Sequence, residues 1–408
     1  MIFEKAEILL PKIEDYRKWA VIACDQFTSQ PEYWNDVRDM VNDAISSIHL
    51  ILPEAQLSKN NDSEIHDIHN TMDKYLENDI FNVYENSYIY VERKLKNGDI
   101  RKGVVGVIDL EEYDYKANST ASIRATEKTV AKRLPPRIKI RDNAKLELSH
   151  ILLLCDDPKY QLIESIEKIK ENLPILYDFE LMQSGGHITG WLISADNATI
   201  FDAALELYMQ ETKKKYCARG EKPMYFAVGD GNHSLAAAKE CYELQKSKFG
   251  SQIKSRYALV ELENLQDESL KFEPINRLLK NVNTNEFLKK LKEICVEYSN
   301  HKIEYYTVDG HGTMYLDEKL GELSVGILQN FLDDYVKISN CIVDYIHDDE
   351  TLKKLSLESN SVGILLSAID RQKLFQTIIK DGVLPRKTFS MGHAEEKRYY
   401  IEARKIFD

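Results

Sequence analysis

The apolar run Met224–Val228 stops abruptly at Gly229-Asp230-Gly231-Asn232-His233-Ser234. Immediately after it, Leu235, Ala238, Cys241 and Tyr242 fall on one face of a helix. This is a strand, a tight turn and a helix, and it commits the chain to a sheet with helices packed on it. Glycines at 229 and 231 permit positive φ and let a ligand approach the backbone. The first amides of a helix favour an anion. The turn therefore suits a phosphate, with Asp230 able to hold a divalent cation. His233 can donate to a phosphate oxygen or carry a proton. The plainer alternative is a β–α turn in which Asn232 caps the helix and His233 only packs. The stretch is neither a Walker loop, lacking GK[ST], nor a GxGxxG fingerprint.

Composition narrows the function classes. The chain has 408 residues, 43% hydrophobic and 30% charged, as in an ordinary globular protein. A net charge of −13 opposes nucleic-acid binding, which rests on phosphate neutralisation by Lys and Arg. No N-terminal signal segment and no run of roughly 18 apolar residues is evident, so no membrane partner is expected. Six cysteines are scattered without a CxxC pair and read as reduced thiols, which places the expectation in the cytoplasm.

Along the chain three regions are expected. Residues 1–150 hold the short run Ala20–Ala23, which delivers Cys24 and Asp25 to a loop, a helix over Trp34–Ile51, and strands Ser87–Leu95 and Lys102–Leu110 joined at Asn97-Gly98-Asp99. Residues 151–280 read as α/β, with a strand over His150–Cys155, helices over about 161–171 and 200–215, and a strand Tyr257–Glu263. Residues 281–408 read as α+β, with a helix over 286–298 and strands Tyr305–Tyr315 and Gly363–Ile369. The aromatic-rich tail is expected to pack back on the body. The fold class is thus α+β (mixed α/β): a mixed sheet core carrying the turn, plus a smaller C-terminal region.

Other charged clusters stand beside the turn. Arg124, Glu127 and Thr129, with Arg137 further on, could clamp a phosphate and supply a base, or form a solvated helix end. Lys387 and Thr388 suit a phosphate lid, or one face of an exposed helix. Asp25 is a loop carboxylate after a strand, and His187 in Gly185-Gly186-His187 is a candidate for a cleft. His150 reads as a satisfied core histidine, and Cys24 as a nucleophile only if the fold brings it a histidine.

The segments GVIDLEEYDY (106–115), SIRATEKT (122–129), LPPRIKIRDNA (134–144), AVGDGNHSLAAAK (227–239) and LPRKTFSMGHAEEKRYY (384–400) together resemble the domain-of-unknown-function family 1015, in its clostridial-type branch. Ser234 stands where the family commonly has Arg, so Arg124 or Arg137 is the expected substitute. The Asp-Gly-x-His turn is also similar to the phosphate turn of the ParB/sulfiredoxin-like superfamily, which includes a nucleotide-dependent free serine kinase. That resemblance implies Mg²⁺-dependent phosphotransfer between a nucleotide, ATP or ADP, and serine or phosphoserine. It implies that Gly229, Gly231, Asn232 and Ser234 hold phosphates and that Asp230 meets the metal. His233 would bind a phosphate oxygen, and Glu127, matched by order, would act as base. Arg124, Thr129 and Arg137 would neutralise the transferring group, and Lys387 and Thr388 would close over it. A phosphoserine phosphatase without nucleotide, and a non-catalytic sensor of a phosphorylated metabolite, are the rival readings.

Overall fold

The structure is a computed structural model that describes residues 2–57, 60–217, 222–385 and 387–407. It is mixed α/β and divides into two compact units, 1–270 with 393–408, and 271–392. The units divide elsewhere than at residues 150 and 280, because strands from both sides of residue 150 interleave in one sheet.

That sheet has thirteen strands among the described residues. Its main members are β1 (Ala6–Pro11), β2 (Phe81–Lys94), β3 (Ile100–Asp109), β4 (Ile123–Ala125), β5 (Leu146–Leu148), β6 (Leu152–Cys155), β7 (His187–Ile193), β8 (Phe226–Asp230), β9 (Tyr257–Asn264) and β10 (Ala403–Lys405). Three helices matter below: α1 (Leu134–Arg141), α2 (Ala195–Tyr216) and α3 (Asn232–Phe249). In space the order is β4-β8-β6-β9-β3-β2-β1-β10-β5, with β7 paired to β2. The pairs β4/β8 and β6/β9 are parallel; β8/β6, β9/β3 and β3/β2 are antiparallel.

Both faces of the sheet are covered. Successive side chains point to opposite faces, and here they enter two cores. Leu259, Val105 and Ile89 join one, around Trp19 and Trp34. Ala258, Val260, Val104 and Tyr88 join the other, around Phe201, Phe226 and Tyr242. Strands buried on both faces read as continuous apolar runs, which is why these strands are visible in the sequence.

The expected helix Trp34–Ile51 is shorter, Pro31–Val41, followed by a 3₁₀ turn at Ser47–Leu50. The helix expected over 161–171 shrinks to Glu164–Glu167 and a 3₁₀ turn. In the second unit an antiparallel sheet of six strands among the described residues runs 295–296, 310–316, 302–307, 361–366, 276–280, 342–346. The strand expected over Tyr305–Tyr315 is two, Lys302–Thr307 and Gly310–Leu316, because Asp309-Gly310 turns the chain. The helix expected over 286–298 ends earlier, at Thr284–Leu291.

A buried ionic layer ties the end of the chain into the first unit. Arg93 (4% exposed) donates to the carbonyls of Gly185, Glu395, Glu396 and Lys397. Arg398 pairs with Glu261 and Glu402. Glu263 is 1% exposed, with Arg101 Nε at 3.2 Å and no hydrogen bond to either carboxyl oxygen. Burial pushes its carboxyl up to about 8; Arg101 opposes this, and Glu261 and Asp267 add to it. A pKa raised by folding means stability present below the unfolded value of 4.5 and lost as pH rises through about 8. Glu263→Gln stays neutral throughout. Its melting temperature relative to the parent is expected to climb between about pH 5 and about pH 8, at up to about 1.4 kcal/mol per pH unit. A pH-independent difference would contradict this.

Candidate functional site

β8 ends in Asp230, and Gly231 turns the chain at φ 78° into α3. Only glycine adopts this conformation cheaply, and a Cβ here would also stand 3.0 Å from Ile151 Cγ1 and 3.1 Å from its Cα. Gly231→Ala is expected to cost at least about 1–2 kcal/mol in a denaturant titration. An unchanged midpoint would contradict the reading.

Pairing in the sheet decides what surrounds the turn. β4 and β8 are parallel neighbours, Ile123 opposite Phe226 and Ala125 opposite Val228. Both therefore end on the same sheet edge, and the two charged motifs meet. Asn232 accepts from the Thr126 amide (3.2 Å) and donates to Thr126 Oγ1 (3.2 Å) and the Val228 carbonyl (3.3 Å). His233 Nε2 accepts the Val130 amide at 3.1 Å. The loop 126–130 is thus pinned to the turn at both ends, and half-buried Glu127 lies within it. Asn232 does not act as the side-chain cap of α3; it locks the two strands together. Thr129 Oγ1 is buried without a hydrogen-bond partner. Buried polar groups are normally paired, so this hydroxyl, one residue from the Val130 amide that His233 holds, stands out.

On the other side β6 runs antiparallel, with Asp230 opposite Leu152. This sets His150 beside α3. Its Nε2 lies 3.2 Å from Ser234 Oγ and its Nδ1 2.7 Å from the Tyr400 hydroxyl. The Tyr400 hydroxyl also accepts the Cys24 amide. Asp230 Oδ1 accepts from the Gly231 amide (2.9 Å), and its Oδ2 is 3.1 Å from Lys397 Nζ. The strand pair Val21–Ile22 and Tyr399–Tyr400 brings in Asp25 and Lys397.

The electrostatics couple these groups. Burial holds His150 below the ordinary imidazole value, against the pull of Asp25 and Asp230. Burial alone would raise Asp25, but His150, the Gln26 hydrogen bond, Lys397 and Arg137 hold its carboxyl below the ordinary range. The cluster therefore offers a neutral imidazole, an ionised carboxylate and a lysine beside a helix N-terminus. His150 is the core histidine of the sequence reading, buried with both ring nitrogens partnered. Cys24 does gain a nearby histidine, yet burial pushes its thiol up to about 11, which does not suit a nucleophile.

Other sequence candidates lie elsewhere. Arg124 is 5% exposed and donates to the Ala121 carbonyl. Arg137 pairs with Glu54 and lines a cavity beside His150 and Ser234. His187 on β7 is held by Asp178 (2.6 Å) and Glu180 (3.0 Å), partners of its own sheet edge. Lys387 and Thr388 belong to the second unit, where Thr388 Oγ1 donates to the Pro385 carbonyl and the Lys387 carbonyl accepts from Arg277. In the sequence Lys397 stands with Glu395, Glu396 and Arg398 in the lid-or-exposed-helix candidate and is not given a role at the turn; Tyr400 is not singled out. Among the described residues no three metal-ligating side chains gather. Asp230 is the carboxylate at the turn, its two oxygens engaged by the Gly231 amide and Lys397; a magnesium there would have to arrive on ligand phosphates and displace the lysine from Oδ2.

Fold and turn together define a mixed α/β protein with a strand–glycine turn–helix at the end of β8. The chain belongs to the family described as "Protein of unknown function (DUF1015)", which it matches over residues 9–355. No curated protein matches it. Among solved structures it is similar to a conserved hypothetical protein from Pyrococcus furiosus (12% identity, TM-score 0.37, covering 74% of this chain and 94% of that one). It is also similar to SbnI with a C-terminal truncation from Staphylococcus aureus (12%, 0.38, 71% and 82%). A free serine kinase variant in complex with ADP aligns at 11% identity, with a TM-score of 0.40 and coverage of 77% and 95%. Among the described residues no helix is long and apolar enough to cross a membrane.

Proposed function

We propose that the protein is a phosphotransferase acting between a nucleotide and serine or phosphoserine, with magnesium accompanying the nucleotide phosphates. The observation that carries the reading is the convergence of loop 126–130, His150 and Lys397 on the N-terminus of α3, with Asp25 close enough to feel His150 and Lys397 and with the buried, unpartnered Thr129 hydroxyl in that loop. Such chemistry is mostly positioning and charge stabilisation, which amides, hydroxyls and fixed cations provide.

In this reading the amides of Asn232–Ser234 and the hydroxyls of Thr129 and Ser234 bind phosphate oxygens. Lys397 and Arg137 neutralise the group in transit. Asp230 would be the protein ligand to a magnesium arriving with the nucleotide phosphates, which would supply charge neutralisation. The serine oxygen–phosphorus bond breaks as a bond forms between phosphorus and the terminal oxygen of the nucleoside diphosphate, and the departing serine oxygen takes a proton. Asp25, ionised and beside His150, would take the serine proton when serine is phosphorylated; in the reverse direction the departing serine oxygen takes its proton from water. Glu127 in the pinned loop is the second carboxylate for that role.

Binding tests the reading. ADP with Mg²⁺, and phosphoserine separately, should each raise the melting temperature, by about 2.7 kcal/mol of stabilisation at a hundredfold excess over Kd. Asp25→Asn is expected to lose turnover while still binding ADP. No shift with either ligand at millimolar levels would overturn the proposal.

A further inference from the structure

Beside the turn lies a cavity of about 130 Å³. It begins where the anion site ends: Ser234 and Ala237, on the first turns of α3, form part of its wall, and His150 another part. The rest is largely apolar, with Leu50, Ile51, Met72, Ile140 and Ala144 facing in. An apolar cavity of roughly 150 Å³ is enough to take a benzene-sized ring. This one is of that order, and it opens beside a phosphate-type turn.

Besides His150 and Ser234, the wall carries Arg137, paired with Glu54, Ser149, whose hydroxyl accepts the Ile151 amide, Tyr400, bonded to His150, and the pair Glu147 and Arg141. Glu147 is fully engaged: it accepts from Arg404 Nε (2.8 Å) and the Leu259 amide (3.0 Å), and pairs with Arg141 Nη2 at 2.6 Å. Both arginines hold its carboxyl below the ordinary range against the effect of burial. Arg141 is different, because its Nε is buried and has no acceptor. A buried donor without a partner is destabilising. A cavity wall that is otherwise matched leaves this donor for an acceptor carried in from outside.

We infer that this cavity holds the base of the nucleotide whose phosphates rest on α3. The base would be a flat heterocycle with a ring-nitrogen acceptor, of the purine class, meeting the Arg141 Nε–H. Apolar walls enclose the ring faces, and the polar edge finds one donor, as in most ligand pockets. The inference rests on the proposed nucleotide reading and adds where the nucleoside lies.

Filling the cavity tests it. Ala144→Phe places a ring in the cavity without touching the turn, and Ile51→Trp does so from another wall should the first variant not fold. Calorimetric titration of each folded variant with ADP, and separately with inorganic pyrophosphate, compares base and phosphate binding. The expected result is at least a tenfold loss of ADP affinity with pyrophosphate affinity kept within about twofold, a loss of about 1.4 kcal/mol or more for ADP alone. Fluorescence of a purine-analogue diphosphate should change on binding the parent, and Arg141→Met should weaken that binding. If the parent binds ADP and a folded filled variant binds it equally well, the cavity assignment falls and the nucleotide reading stands. If the parent binds neither ADP nor pyrophosphate, the reading falls, and the cavity assignment with it.

Discussion

A Lys397→Met variant is expected to lose phosphoserine–ADP turnover by on the order of 10²–10³-fold, the usual effect of removing one preorganised group that stabilises transition-state charge. Lys397 is 8% exposed, and its ammonium lies 3.1 Å from Asp230 and also acts on Asp25. Without it two carboxylates near one imidazole lose their shared cation. Asp25, which Lys397 helps keep ionised, then holds its proton more tightly. The acidic limb of the activity–pH profile should therefore move to higher pH, a shift that loss of packing alone would not produce. Lys397→Arg keeps the charge but replaces a compact ammonium with a planar fork, so partial recovery is expected. Activity and pH profile both unchanged in Lys397→Met would remove this residue from the site.

The second large effect concerns stability. Arg93→Met is expected to cost about 3–5 kcal/mol in urea unfolding, the scale for breaking a buried charged network by removing one member. Arg93 donates to four carbonyls, at Gly185, Glu395, Glu396 and Lys397, and its guanidinium sits 5.1 Å from the Tyr399 ring centroid. Arg101 adds another bond to the Glu396 carbonyl. The held segment, 395–397, carries the site lysine, so the folded fraction of Arg93→Met should also turn over more slowly than the parent. Arg93→Lys cannot reproduce a five-donor fork and should not restore stability. A midpoint within error of the parent would show that the segment is held by other means. The same bonds explain Gly185-Gly186-His187: the Gly185 carbonyl serves Arg93, and a Cβ on Gly186 would strike the Lys94 carbonyl.

The turn at 229–234 is legible in the sequence because its signals are local: an apolar run, two glycines and a helical period. Its partners are not local. Thr126 lies 106 residues from Asn232, and only the parallel pairing of β4 with β8 brings them together. His150 reads as a core residue because it is one: 5% exposed, yet placed by the antiparallel strand β6 at the edge where the turn emerges. Lys397 is hidden among Glu395, Glu396 and Arg398, whose spacing also suits an exposed face. The hairpin at 302–316 is read in the sequence as one strand, Tyr305–Tyr315, because the aromatic run masks the turn at Asp309-Gly310.

The most direct measurement is incubation of the protein with phosphoserine and Mg²⁺, with and without ADP, following serine, ATP and inorganic phosphate together. The account predicts serine and ATP in equal amounts, dependent on ADP and abolished in Asp25→Asn. Serine with free phosphate and no need for ADP would contradict nucleotide-dependent transfer and make the protein a phosphatase. No serine under either condition would contradict phosphotransfer from phosphoserine altogether.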